Sequence, residues 1–371
     1  MLTRFSVENF KRFKGKITLD LSNPGPYDFN SEVIANPEKV ISKAIIYGKN
    51  GAGKSSLGLA IFDIILHLTD NEKNIQDYDP YYCLENEYNS ITKFEYVFRF
   101  DSSEVIYKYN KIGLDKLIEE RLTINDKEVL YYDFKNHDGF VSLKGTETLR
   151  FKVGDNQISR VKYVSSNAIL TKTPENDAFL SFIDFVNHML MFYSLDTKNY
   201  QGFMRGAENI GSAIIKAGKL HDFNTFLNEN GVDLKLKASE INGEQVMLAH
   251  YNQRYTIDFF RIASTGTKSL ALFYYWYIHM GKVAFVYLDE FDAFYHYELS
   301  ETIVKLMKKL NKTQVIFTTH NTDLLSNDLL RPDCYFEIKP DGIHSLDQLT
   351  DKELRKEHNL QRMYKADAFR E

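Results

Sequence analysis

The sequence predicts an α/β fold in which a phosphate-binding loop joins a buried strand to a helix. Three observations carry this expectation. Val40 to Tyr47 is a compact apolar run, followed at once by Gly48-Lys49-Asn50-Gly51-Ala52-Gly53-Lys54-Ser55, a match to G-x-x-x-x-G-K-[ST]. Ser56 to Leu68 then sets Leu57, Ile61, Ile64, Ile65 and Leu68 on one helical face. Finally, the apolar run Val283 to Leu288 ends in Asp289-Glu290, between helical stretches at 267–280 and 297–310 and before a strand at 313–318.

The remaining elements follow from local pattern. Residues 2–7 and Ile17 to Leu21 read as strands, and 22–39, with Pro24, Pro26 and Pro37, as a loop. Residues 70–90 are polar and rich in Asn, Asp and Tyr, hence a second loop. Segments 94–100, 105–109 and 129–134 are short, β-branched or aromatic, and read as antiparallel strands; Arg160 to Ser165 reads as one more. Residues 175–230 read as helical, with Gly202, Gly206 and Gly211 as breaks, and Leu234 to Lys237 and Val246 to Tyr255 as strands. The tail, 350–371, is charged and reads as mostly helical. This organisation predicts a head from residues 1–69 and 250–348, a β-rich arm at 70–170, a helical insertion at 171–249 and a helical tail at 349–371.

Composition removes several classes. The 371 residues carry a formal charge of −5, so no global basic field advertises nucleic acid. Two cysteines, Cys83 and Cys334, without metal-ligand spacing, argue against a disulfide scaffold or a structural zinc site. The first residues contain no apolar signal region, and the most apolar stretch, Leu270 to Ile278, is about half a membrane span. A cytoplasmic protein without a membrane contact is expected. No heptad run or internal repeat is present.

The loop chemistry explains its spacing. Gly48, Gly51 and Gly53 let the backbone turn tightly, so that its N–H groups face a β-phosphate, and the helix that follows adds partial positive charge. Lys54 reaches β- and γ-phosphates, and the Ser55 hydroxyl is placed for Mg²⁺. A strand that delivers Asp289 at its C-terminal end supplies the second metal-facing group. Glu290, one residue on, is spare for polarising a water. A nucleotide with Mg²⁺ is therefore the expected ligand, with Lys49, Asn50, Ala52 and Ser56 completing the loop. Arg12 and Phe13 are candidates for stacking on the base.

Five further segments carry a family resemblance. Phe5 to Phe13 resembles the N-terminal strand, Ile262-Ala263-Ser264-Thr265-Gly266-Thr267-Lys268-Ser269 the signature motif, and Gln314 to Asn321 the switch-histidine strand of ABC-type ATPases, in the SMC/RecF-like and AAA_15/AAA_21 branches. Leu329 to Asp333 and Leu354 to Phe369 resemble the C-terminal tail of the AAA_15 group. Ser264 precedes Asp289 by 25 residues and His320 follows it by 31. The resemblance covers 1–60 and 260–371.

It implies a P-loop NTPase with an ABC-ATPase-type head that hydrolyses ATP to ADP and phosphate. It also implies a homodimer, or a higher homo-oligomer, around two ATP·Mg²⁺. Lys54, Glu290 and His320 would act catalytically, with Ser55 and Asp289 on the metal. Ser264, Thr265, Gly266, Thr267 and Lys268 would reach the γ-phosphate of the opposite subunit. By itself Ser264 also fits a plain helix cap. No Gln follows strand 160–165, so Asn167 is the candidate for the missing amide ligand. His296 falls at a D-loop position, followed by Tyr297 where the family has Pro, and Phe291 replaces the Pro of transporter ATPases. Standalone relatives of this size work with a separate effector, often a nuclease, in anti-phage defence of the abortive-infection and PARIS-like kinds. A nucleic acid or phage component is a further partner in that setting. The alternative is a RecF/SMC-like ATPase acting on DNA in repair or recombination.

Overall fold

The computed structural model describes residues 1–71, 73, 75–87, 90–150, 157–193, 200–202, 209–250, 255–293 and 297–369. Strands β1 (Leu2–Glu8) and β2 (Ile17–Asp20) pair antiparallel. The short hairpin β3 (Ile34–Ala35) and β4 (Val40–Ile41) leads to β5 (Lys43–Tyr47) and α1 (Lys54–Leu68). The run predicted as one strand from Val40 is interrupted at Ser42, whose backbone N–H and hydroxyl both donate to Val33 O. Five strands follow: β6 (Thr92–Phe100), β7 (Ser103–Ile112), β8 (Lys116–Ile124), β9 (Lys127–Asp133) and β10 (Asp138–Val141). Next come α2 (Arg160–Asn167), α3 (Pro174–Asn187), β11 (Met189–Tyr193) and β12 (Tyr200–Gly202). Helices α4 (Ile210–Lys216) and α5 (Leu220–Glu229) precede a small sheet of β13 (Leu236–Ile241), β14 (Glu244–His250) and β15 (Thr256–Asp258). The chain continues through α6 (Phe259–Ile262), α7 (Thr265–Tyr277), β16 (Phe285–Asp289), α8 (Tyr297–Lys308) and β17 (Gln314–Thr319). It closes with β18 (Tyr335–Lys339), β19 (Gly342–Ser345) and α9 (Leu360–Lys365).

Two seven-stranded sheets organise these elements. One is antiparallel, in the order β10-β9-β8-β7-β6-β1-β2; the other runs β12-β11-β16-β17-β5-β18-β19, parallel from β11 to β18 with an antiparallel strand at each edge. All residues of β5, β16 and β17 are buried, as continuous apolar strands covered on both faces must be.

Helix α1 lies between the sheets. On the parallel side a Cβ at Gly58 would come within 2.6 Å of the Tyr287 ring and 2.7 Å of Met191 Cε, so a side chain there would push the helix off β16 and β11. On the antiparallel side Asp63, fully buried, accepts from Lys111 Nζ (2.7 Å), Tyr109 OH (2.8 Å) and Tyr81 OH (2.7 Å). Tyr96 OH donates to Ala60 O at 2.9 Å.

Several sequence expectations are corrected. Residues 160–165 are helical, because Ser159 Oγ accepts from Lys162 N and Arg160 N donates to Glu120 Oε2, together capping α2; Val161 and Val164, three apart, form its buried face. Strand β8 escaped the pattern because Glu119, Glu120 and Arg121 interrupt its apolar residues; Glu120 is nonetheless buried, accepting from Tyr107 OH and Ser159 Oγ. The boundary between head and β arm cuts a continuous sheet, since β6 pairs with β1. The segment 171–249 is not purely helical either: β11 joins the parallel sheet beside β16. In the tail only Leu360–Lys365 forms an α-helix among the described residues.

Removing one member of a buried ion pair leaves the other charge uncompensated, at a cost of about 3–5 kcal/mol. Lys111→Met is expected to lose that much in urea unfolding. A loss under about 1 kcal/mol would mean that the pair does not anchor α1.

Candidate functional site

Strand register assembles the site. Parallel pairing sets Tyr47 opposite Thr319 and Leu288 opposite Phe317, so β5, β17 and β16 end side by side. The loop 48–55, His320 and Asp289-Glu290 therefore leave the sheet together at its C-terminal edge, where α/β sheets bind ligands.

The loop has the backbone its glycines allow. Gly51 and Gly53 have φ of +78° and +109°. A Cβ at Gly53 would meet the Phe13 ring at 2.8 Å, and one at Gly51 would meet Arg12 Nη2 at 3.3 Å. Ala52 N donates to Lys49 O, closing the turn. Lys54 is buried and its Nζ donates to Gly48 O at 2.9 Å, while Tyr287 OH donates to Lys54 O at 2.7 Å and fixes the start of α1. Lys49, Asn50 and Ser55 are exposed and Ser56 is half-buried.

The acidic pair meets the loop directly. Asp289, 5% exposed, accepts from Thr318 Oγ1 at 2.7 Å and lies beside the Ser55 hydroxyl. Burial pushes its carboxyl above the usual range, while the two hydroxyls and the Lys54 charge pull it back. A buried carboxylate facing a serine hydroxyl is an oxygen donor set that suits Mg²⁺. Among the described residues no group of three or more His, Cys, Asp or Glu side chains is arranged to hold a metal. Glu290 is half-buried, with φ +45°, and its N–H donates to Thr318 Oγ1 at 2.8 Å. Thr319 Oγ1 donates to Asp292 Oδ2 at 2.8 Å. Sequence reasoning passed over both threonines; the available signal was a pair of hydroxyls at the end of an apolar strand, just before His320, which is exposed.

Two clefts flank the loop. One, of about 820 Å³, is lined by Arg12, Lys16, Lys49, Gly51 and Lys339 among others. The second, of about 370 Å³, is lined by Arg12, Ser55, Ser56, Leu59 and Leu84 among others. Arg12 is exposed, donates from Nε to Gly51 O at 3.1 Å and borders both. Phe13 is 5% exposed with its ring against Gly53. Phe13 also lines the larger cleft.

The signature residues stand apart from this site. Ser264 caps α7, its Oγ accepting from Thr267 N at 3.2 Å and sharing a hydrogen bond with Thr267 Oγ1 at 2.9 Å. Thr265 and Gly266 form the first turn, Thr267 is buried and Lys268 is exposed. No residue of 261–269 lines either cleft. Asn167 lines neither cleft. It ends α2, exposed, with Nδ2 donating to Tyr163 O, because the segment before it is a helix rather than a strand leading to the sheet edge. His296 lies outside the described residues. Cys83 and Cys334 are free and buried, and no helix among the described residues is long and apolar enough to cross a membrane.

Residues 43–326 match the family described as "AAA domain, putative AbiEii toxin, Type IV TA system" (AAA_21), and the chain belongs to that family. No curated protein matches it. Among solved structures, an SMC head bound to the C-winged helix domain of ScpA is similar at 14% identity with a TM-score of 0.50, over 94% of this chain and 98% of that one. The SMC head domain from Thermotoga maritima aligns at 13% identity and a TM-score of 0.42, over 91% and 94%. An SMC head with an extended coiled coil, bound to the C-terminal domain of ScpA derived from Pyrococcus furiosus, aligns at 14% and 0.46, over 94% and 97%. The family is thus an AAA-domain family, and the fold is that of an SMC head.

A Cβ at Gly53 meets both a positive φ and the Phe13 ring. Strain of this kind costs about 1–3 kcal/mol, so Gly53→Ala is expected to weaken ATP binding by about tenfold or more in calorimetry. Phe13→Ala in the same background relieves only the contact and restores part of the loss. Unchanged affinity in Gly53→Ala would contradict the loop geometry.

Proposed function

We propose that this chain binds ATP with Mg²⁺, closes as a head-to-tail homodimer around two nucleotides, and hydrolyses them to ADP and phosphate. The observation that carries the reading is the buried Asp289 carboxylate beside the Ser55 hydroxyl, at the end of the strand next to the loop strand's neighbour, with Glu290 one residue on. In this reading the loop N–H groups from Gly48 to Ser55 cradle the β-phosphate. Lys54 exchanges its bond to Gly48 O for the β- and γ-phosphates, and Ser56 follows on the α-phosphate side. Ser55 and Asp289 would hold Mg²⁺, which when bound neutralises charge on the transferring phosphoryl group. Glu290 takes the proton of the attacking water, and His320 donates a hydrogen bond to the γ-phosphate. Arg12 lies along the base.

The opposite subunit supplies Ser264, Thr265, Gly266, Thr267 and Lys268 at the γ-phosphate. This is supported by their absence from the lining of either loop-side cleft and by the exposure of Ser264 and Thr265 at the α7 N-terminus. The Ser264 hydroxyl would then trade its bond to Thr267 N for a phosphate oxygen.

The dimer acts as a sensor and scaffold for a separate effector of the nuclease kind in anti-phage defence. The toxin description of the family supports a defence setting. That a structurally similar SMC head binds a winged-helix domain of ScpA supports recruitment of a second polypeptide. The protein is taken to work in the cytoplasm. The alternative, an ATPase acting directly on DNA in repair or recombination, shares the same engine and differs in what co-purifies with it.

Glu290→Gln is expected to keep ATP binding, to lose about 10²- to 10⁴-fold in turnover, and to accumulate as the closed dimer. Light scattering on that variant, purified from its native host with ATP, should give a peak heavier than the bare dimer of about 86 kDa (twice 43.2 kDa), with a second polypeptide in it. A bare dimer with DNA-stimulated turnover of the unmutated chain would favour the DNA-acting alternative. Normal turnover in Glu290→Gln would remove the general-base assignment.

A further inference from the structure

We propose that Thr318 is the positioning residue of the site, one buried hydroxyl that sets both the metal-facing carboxylate and the peptide carrying the general base. The inference rests on the roles given above to Asp289 and Glu290.

A threonine hydroxyl has one hydrogen to donate and lone pairs to accept. Thr318 uses both. Its Oγ1 donates to Asp289 Oδ1 at 2.7 Å and accepts from Glu290 N at 2.8 Å, and the residue is fully buried. The two partners are consecutive residues with different tasks, so a shift of this one oxygen moves both.

Glu290 shows why such a restraint is needed. Its φ of +45° is in the left-handed region, which a glutamate enters only when its surroundings hold it there. The holding contacts come from the same place. Glu290 N bonds to Thr318 Oγ1, Phe291 N donates to Thr318 O at 3.3 Å, and Ala293 N closes the turn on Glu290 O at 3.0 Å. Thr319 repeats the device one residue on, donating to Asp292 Oδ2 and accepting from Asn321 N at 2.8 Å. The acidic turn 289–293 is thus tied to the end of β17, the strand that also leads into His320.

A purely structural role for Thr318, filling space with a β-branched side chain on a buried strand, predicts a different mutational pattern. Valine keeps shape and strand preference but removes the hydroxyl. Serine keeps the hydroxyl and loses a methyl.

The experiment compares the unmutated chain, Thr318→Val and Thr318→Ser in steady-state hydrolysis over ATP and Mg²⁺ concentration, and in thermal shift with ATP, with and without Mg²⁺. The expected result is a kcat about 10- to 100-fold lower in Thr318→Val, with KM for ATP within about twofold. Its half-saturating Mg²⁺ rises, and the Mg²⁺-dependent part of its ATP thermal shift shrinks. Thr318→Ser stays within about threefold of the unmutated kcat. Two results overturn the proposal: Thr318→Val with unmutated kcat and Mg²⁺ requirement, or Thr318→Ser losing as much as Thr318→Val, which would assign the role to the methyl group. If Thr318→Val does not fold, Thr318→Cys, similar in volume and a poor donor, takes its place with the same criteria. If the unmutated chain binds ATP·Mg²⁺ without turnover, the hydrolysis reading fails separately. The Mg²⁺-dependent thermal shift then decides: its loss in Thr318→Val sustains the positioning role, and its retention overturns it.

Discussion

The burial of helix α1 between two sheets is the constraint on which the rest of the molecule depends. A loop that must aim its N–H groups at a phosphate cannot be more rigid than the helix it opens. Here that helix is held from opposite sides by unlike means. Toward the parallel sheet the restraint is close packing, with Gly58 giving the Tyr287 ring room to lie against the backbone and Tyr287 OH reaching Lys54 O. Toward the antiparallel sheet it is polar, with Asp63 gathering Lys111, Tyr109 and Tyr81. Charge buried in low dielectric is tolerated only when fully partnered, so the polar contact specifies register as well as closeness. Sliding α1 by one residue along β7 would strand both Asp63 and Lys111.

The same logic governs the site itself. Asp289 is buried among hydroxyls rather than beside a cation in close contact, and desolvation raises its carboxyl toward protonation. That is an uncomfortable state for a structural carboxylate and an apt one for a group that gains by meeting a divalent ion. Lys54, turned back on Gly48 O, is likewise satisfied by a contact that a phosphate can replace. Both groups hold local partners that are weaker than the charged ligand for which they suit, so ligand binding exchanges contacts rather than creating them in empty space.

Much of this was legible in the sequence, for identifiable reasons. The loop 48–55, the strand ending in Asp289 and the strand leading to His320 were readable because buried parallel strands are continuous apolar runs and the phosphate loop needs fixed glycines. Elements whose stability comes from tertiary polar contacts were not. Strand β8 hides behind Glu119-Glu120-Arg121, and only the fold shows that Glu120 meets Tyr107, Ser159 and the N-terminus of α2. The same contacts turn 160–167 into a helix where the sequence reads as a strand. Phe13 was visible as an aromatic near the loop, but its contact with Gly53 is long-range and no local pattern encodes it. β11 was missed because the residues around it read as helix, and its place beside β16 is a matter of topology.

Strand β17 ties these levels together. At its start Gln314, fully buried, bonds with its side-chain amide to both N and O of Leu2, at 3.0 and 2.8 Å, and to Ile41 O at 3.1 Å, which joins the antiparallel sheet to the parallel one. At its end Thr318 and Thr319 hold the acidic turn, and beyond His320 the chain meets the tail, where Gln361 donates to Asp323 and Tyr364 OH donates to Glu337 at 2.7 Å. A single strand thus carries side-chain contacts to the first strand of the chain, to the carboxylates of Asp289 and Asp292 and, through the loop after it, to the last helix. In a parallel sheet a strand cannot shift along its axis without breaking register with both neighbours, here β16 and β5. Any change that a nucleotide imposes at the end of β17 must therefore be taken up by the segments that follow the strand, from His320 to the tail, because the strand itself is pinned.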